Sequence, residues 1–134
     1  RHKIILTDLG NSYPETQQHI SEVYNLIKDK YPDKRKGIFL ANDTHANIFL
    51  NLLMRDYGTL PDDFRIIGYD DSPVSREAIV PISTVGQQID KIAHEAMKLL
   101  VSQMNEMKKR RPVPQTEIIH KMITPVLVRR DTTT

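Results

Sequence analysis

The 134-residue sequence has no cysteine. That excludes disulfides and thiolate metal sites, and it fits a reducing compartment. No apolar run approaches the ~20 residues of a membrane-spanning helix. Neither sign of charge dominates: 19 Lys and Arg against 17 Asp and Glu leave +2, too small a balance to point by itself to nucleic acid. The sequence also lacks the G-x-G-x-x-G turn, the phosphate-binding loop and the G-x-S-x-G nucleophile turn. His2, His19, His45, His94 and His120 show neither i, i+4 pairing nor the H-E-x-x-H spacing of a zinc site, and they read as surface or rim residues. Asp70-Asp71 brings to mind a phosphoacceptor domain, but the separate Asp nucleophile and the later strand ending in Lys are not visible. There is no internal repeat and no low-complexity segment, and no secretion signal is visible at Arg1. The chain opens at Arg1 rather than Met, so further upstream sequence is expected. An enzyme is therefore not expected, nor a cofactor. With 39% hydrophobic and 27% charged residues, the composition is that of a folded domain able to bury a core.

What is present is an alternation of strand and helix signals. Lys3-Ile4-Ile5-Leu6-Thr7 reads as a buried strand running into an Asp8-Leu9-Gly10-Asn11 loop. Pro14 suits a first helical turn, and Ile20, Val23, Tyr24, Ile27 and Tyr31 follow at helical spacing until Pro32. Gly37–Ala41 is a second strand. It enters Asn42-Asp43-Thr44, three good capping residues, and then a helix to about Arg55 with Ala46, Phe49, Leu50 and Leu53 on one face. Gly58 ends it. Phe64–Tyr69 is a third strand, Ile82–Val85 a short extended piece. The longest helix is expected from Gln88 to Met107, with Ile89, Ile92, Ala93, Ala96, Leu100, Met104 and Met107 as its apolar stripe. Lys108-Lys109-Arg110-Arg111 closes it, as cations suit a helix C-terminus, and Pro112 and Pro114 forbid its continuation. Glu117–Ile119 and Val126–Arg130 read as two last strands, and the terminal threonines as a fraying tail. The order predicts an α/β fold, a doubly wound and mostly parallel sheet with helices on both faces and right-handed crossovers.

In such sheets ligands bind beyond the carboxyl ends of the strands. Here those ends carry Asp8 with Gly10-Asn11-Ser12-Tyr13, then Asn42-Asp43, then Asp70-Asp71. Carboxylates and amides suit a polyhydroxylated small molecule, whose hydroxyls both donate and accept. Local readings compete at each position. Capping alone accounts for one of Asn42 and Asp43, with Asp43 the better cap candidate, a turn accounts for Asp70-Asp71 before Ser-Pro, a hydrophobic staple accounts for Tyr13, and Gln87 simply starts the long helix.

Four ordered segments resemble the effector domain of the lactose/galactose repressor family. They are Gly37-Ile-Phe-Leu-Ala-Asn-Asp-Thr-His-Ala46, Leu60-Pro-Asp-Asp-Phe-Arg-Ile-Ile-Gly-Tyr-Asp-Asp71, Pro81-Ile-Ser-Thr-Val-Gly-Gln87 and Pro125-Val-Leu-Val-Arg-Arg-Asp-Thr132. The last departs from the family's Asp-Ser ending, and the Gly-Asn-Ser-Tyr loop is one residue longer than usual. The resemblance implies a periplasmic-binding-protein-like type I fold. Residues 1–134 would form the C-terminal lobe plus a crossover segment of an effector-binding domain, with the N-terminal lobe and the DNA-binding domain outside this chain and the long helix packing in that other lobe. It also implies effector contacts from Asn42 and Asp70, and further ones from Gln87 and Tyr13, while the family's effector-binding Arg falls upstream. The implied protein is a cytoplasmic, homodimeric transcriptional repressor that acts on operator DNA and has no membrane partner. The run from Gly68 to Ala93 is similar to arabinose repressors carrying a winged-helix head, which makes a monosaccharide such as L-arabinose the expected effector. The alternative is a sugar-binding receptor of a transport system, and a third reading is an enzyme with carboxylates at its strand ends.

Overall fold

The computed structural model describes residues 4–114 and 117–134. In chain order the elements are α1 (Tyr13–Lys30), β1 (Lys36–Phe39), α2 (Asp43–Tyr57), β2 (Phe64–Tyr69), α3 (Pro73–Glu77), β3 (Ser83–Gly86), α4 (Ile89–Met107), β4 (Val126–Val128) and a 3-10 turn at Asp131–Thr133. The strands form one sheet in the order β1-β2-β3-β4. β1 runs parallel to β2, with Lys36 beside Phe64 and Phe39 beside Ile67, and β2 runs parallel to β3, with Ile67 beside Ser83 and Tyr69 beside Val85. The carboxyl ends of these three strands therefore open on one rim. The chain divides into two compact units, one holding the described residues up to Val85 with Leu127–Thr134, the other Gly86–Val126.

In the first unit the local chemistry sets the helix limits. Ser12 Oγ accepts the Glu15 amide at 3.4 Å and Pro14 occupies the first turn of α1. At the far end the Tyr31 amide reaches the Ile27 carbonyl, and Pro32 cannot continue the helix. Gly58, at φ +70°, closes α2 with its amide on the Met54 carbonyl, the left-handed cap that glycine adopts without penalty. Ile20, Tyr24 and Ile27 of α1 and Ala46, Phe49, Leu50 and Leu53 of α2 are buried with Phe64 and Ile66 of β2. The order is layered, α1 on α2 and α2 on the sheet. The Phe49 ring meets Tyr24 edge-on at 5.6 Å and Phe64 at 6.1 Å. Ile38 of β1 faces this core, so Phe39 points to the other face of the sheet, where it is 67% exposed.

The second unit holds α4, on which no residue is buried. Its apolar residues, including Ile89, Met97, Leu100 and Met104, lie at the surface. Gln88 Nε2 donates to the Thr124 carbonyl at 2.6 Å, and Lys121 pairs with Glu95. That ion pair holds the Glu95 carboxyl below its usual range.

Four expectations need correction. Ile4–Thr7 is not a strand, and Ile4 and Leu6 are exposed; Lys3, the first residue of that reading, lies outside the described residues. Glu117–Ile119 is not a strand either, with Ile118 and Ile119 exposed. A β-branched run becomes a strand only beside a ladder partner, and neither run has one among the described strands. The tail does not fray: Thr132 is fully buried, its amide bound to the Pro81 carbonyl and its hydroxyl to the Ile66 carbonyl. Finally, the loose stretch after Asp71 contains α3, opened by Ser72-Pro73.

Candidate functional site at the carboxyl rim of the sheet

β1 leads through Leu40, whose amide binds the Ile67 carbonyl at 2.9 Å, to Asn42 in an extended conformation. Asn42 is the cap of α2. Its Oδ1 accepts the His45 amide at 2.8 Å, so the oxygen belongs to the helix. Asp43 is not a rim residue. It is 1% exposed. Its Oδ2 accepts the Ser72 amide at 2.7 Å and the Ser72 hydroxyl at 3.0 Å, and its Oδ1 accepts the Thr84 hydroxyl at 2.6 Å. Gly68 makes room for this carboxylate. A Cβ there would overlap Asp43 Oδ1 and sit 3.1 Å from the Asp43 Cα.

β2 delivers two acids on unusual backbone, Asp70 at φ +105° and Asp71 at φ +54°. Side-chain-bearing residues hold such angles only where their surroundings impose them. The Asp70 amide binds the Val85 carbonyl at 2.9 Å and the Asp71 amide binds Thr84 Oγ1 at 3.3 Å. The two carboxylates then diverge in role. Asp71 Oδ1 accepts Arg130 Nη2 at 2.7 Å and the Ser75 hydroxyl at 3.4 Å. Arg130 also donates to Ser75 Oγ and the Ile82 carbonyl. Asp71 is thus a structural anchor for the end of the chain, and Asp70 is the half-buried acid at the rim.

Asn42 and Asp70 consequently share the rim of the first unit. Tyr13 is the first residue of α1 and 56% exposed; it lies on a groove of about 490 Å³ between α1 and α2, with Gln17, Thr44, Asn47 and Asn51. Gln87 is half-buried and belongs to the second unit. Among the described residues, no three His, Asp or Glu side chains group as a metal site. His94 and His120 are exposed. His19 and His45 are only half-exposed, each with a buried Nδ1 that lacks a hydrogen-bond partner, and burial lowers the pKa of His45. His2 lies outside the described residues. Sequence reading missed Thr84 and Ser72 as partners of Asp43, because pairs 41 and 29 positions apart leave no local pattern. The one available signal was that Asn42 and Asp43 cannot both be the cap of one helix.

A second polar cluster ties α1 to α2. The Tyr24 hydroxyl donates to Asp56 at 2.5 Å, and Lys28 and Arg55 both pair with that carboxylate at 2.9 Å. Hydrogen bonds from Arg55, Tyr24 and Lys28 hold the Asp56 carboxyl well below its usual range. Burial and the Asp56 hydrogen bond push Tyr24 up to about 12.

The periplasmic binding protein-like domain profile matches residues 5–133. The chain belongs to that family. Its relatives include the ribose operon repressor of Bacillus subtilis (strain 168), 35% identical over 82 residues, which are 61% of this chain and 24% of that protein. The transcriptional regulator CelR of Thermobifida fusca is 32% identical over 78 residues, 58% of this chain and 23% of that one. A solved LacI family transcriptional regulator from Lactobacillus casei with bound sucrose shares the fold, at 24% identity and a TM-score of 0.65, over 92% of this chain and 41% of that one. The resemblance to the lactose/galactose repressor family holds, and with it the α/β fold with parallel strands. The match spans about a quarter of the length of the Bacillus subtilis and Thermobifida fusca relatives. Among the described residues, no helix is long and apolar enough to cross a membrane.

Proposed function

We propose that residues 1–134 are the C-terminal part of the effector-binding domain of a transcriptional repressor, and that the rim holding Asn42 and Asp70 is its half of a sugar site. The observation that carries this reading is Asp70, an acid held at φ +105° where β2 ends, on the same rim as Asn42, whose Oδ1 already accepts the His45 amide. Such a pair offers an acceptor and a donor to vicinal hydroxyls. A relative named as the ribose operon repressor, and fold neighbours solved with sucrose and with cellobiose, support sugar as the ligand class. Within that class we assign a monosaccharide such as L-arabinose, on the likeness of the Gly68–Ala93 run to arabinose repressors. Gln87 and Tyr13 would add contacts from the crossover and from the start of α1. The protein would be a cytoplasmic homodimer without catalytic turnover, and a DNA-binding domain of winged-helix type beyond this chain would read the operator. Closure on the effector would shift the population between two spacings of the DNA-binding heads.

The test is a thermal-shift screen of the protein as its gene encodes it, against L-arabinose, D-ribose, hexoses and their phosphates. Binding to the native state raises the midpoint by mass action. A charge-assisted hydrogen bond contributes about 1.5–3 kcal/mol, so Asp70→Ala is expected to weaken the responding sugar about 10- to 100-fold. A folded Asp70→Ala protein with parental affinity would remove Asp70 from the site. No shift with any sugar would end the monosaccharide reading.

A further inference from the structure

We infer that Asp43 and Thr84 are positioning residues, which fix the left-handed turn at Asp70–Asp71 and so set the direction in which Asp70 meets a ligand. The consequence for binding rests on the effector reading above; the positioning itself does not.

Three successive amides hold the turn. Asp70 N–H binds the Val85 carbonyl, Asp71 N–H binds Thr84 Oγ1 and Ser72 N–H binds Asp43 Oδ2. Two of the three bonds that hold the strained turn therefore end on Asp43 or Thr84. The direction of each bond follows from the groups involved. A carboxylate acts only as an acceptor, and a threonine hydroxyl has one proton. The 2.6 Å contact between Thr84 Oγ1 and Asp43 Oδ1 accordingly takes the hydroxyl proton. A lone pair of Thr84 is thereby turned toward the Asp71 amide. Both oxygens of Asp43 are engaged, one by Thr84 and the other twice by Ser72. Thr84 is fully buried and Asp43 nearly so, so water does not substitute for either partner. α2, the turn after β2 and the end of β3 are joined at one carboxylate, and α2 carries Asn42 as its cap. Rim residues that must act together are thus referred to a common point beneath them.

The measurement is amide exchange by NMR, together with affinity for L-arabinose and D-ribose, in the protein as its gene encodes it. Thr84→Val keeps the shape and removes the hydroxyl. It is expected to speed exchange at Asp71 and Ser72 at least about tenfold relative to core amides such as Leu50 and Ile66, and Thr84→Ser is expected to restore the parental pattern. Asp43→Asn, which conserves volume, carries the same expectation if Thr84→Val does not fold. Where a sugar binds the parent, its affinity is expected to fall about tenfold or more in Thr84→Val and to return in Thr84→Ser. Parental exchange at Asp71 and Ser72 in the folded variants, or a uniform rise across all amides, would overturn the inference. A parent that binds neither sugar while exchange rises selectively would support the positioning role and count against L-arabinose and D-ribose as effectors.

Discussion

Gly68 shows how far the site depends on an atom that is missing. Its place on β2 is the one where α2 comes close enough to bury Asp43, and a methyl group there would press on both the carboxylate and the Asp43 backbone. Gly68→Ala is expected to destabilise the fold by about 1–3 kcal/mol, the usual range for overpacking a filled interior, and urea unfolding of the variant beside the parent would measure it. A loss much below 1 kcal/mol would mean that α2 yields freely at this point. At this scale the sequence was partly readable. Asn42-Asp43 and Asp70-Asp71 stood out as pairs because they directly follow apolar strands, and the family resemblance singled out Asn42 and Asp70 within them. Asp43 read as the better cap of the two, yet Asn42 takes the cap and Asp43 turns inward, because nothing local says which of two adjacent polar residues does which. The split between Asp70 and Asp71 was hidden from any local pattern, since it is made by Arg130, 59 positions further on.

At the scale of elements, helices were easier to read than strands. α1, α2 and α4 announce themselves by period, caps and prolines within a single window. α3 has only five residues, too few for a period, and Ser72-Pro73 was its sole mark. Strands depend on neighbours, and so Ile4–Thr7 and Glu117–Ile119 looked like strands without becoming strands. Contacts between elements also carry the pH dependence. Asp56 joins α1 to α2 with its carboxyl held below the usual range. Its contribution is therefore present in full above the ordinary carboxylate range and is lost as pH falls through the lowered value. Asp56→Asn is expected to be less stable than the parent at pH 7 and to converge with it in strong acid. Tyr24 acts at the other end of the scale. Raised from an ordinary 10 to about 12, it contributes below pH 10 and loses that contribution as pH climbs toward 12. Denaturant midpoints from pH 2 to 11 would trace both limbs. A constant gap between Asp56→Asn and the parent across the acid range would contradict this account.

For the whole molecule, the parallel register does most to place the site. Strand–helix alternation forecast a parallel sheet, and such a sheet brings separate strand ends to one rim. Gln87 falls in a different compact unit from Asn42 and Asp70; no composition or periodicity marks that division, and only the family resemblance implied a crossover segment there. The terminal segment is a similar case. Polar threonines at a chain end look solvent-bound. Yet the Thr132 hydroxyl, which donates to the Ile66 carbonyl and accepts the Ser83 amide, joins the last residues to β2 and β3.

The positive φ at Asp70 sets two kinds of selection against each other. Glycine adopts that angle freely, and removing strain of this kind is worth about 1 kcal/mol. A directed-evolution campaign that rewarded heat resistance alone would therefore be drawn toward Asp70→Gly, which should raise the melting midpoint by a few degrees while, on the proposed sugar reading, weakening effector binding as Asp70→Ala does. The same substitution would look like an improvement to any screen blind to regulation. If Asp70→Gly instead melted earlier than the parent, the aspartate would be supporting the fold through its side chain, and the conflict between stability and sensing would not exist at this position.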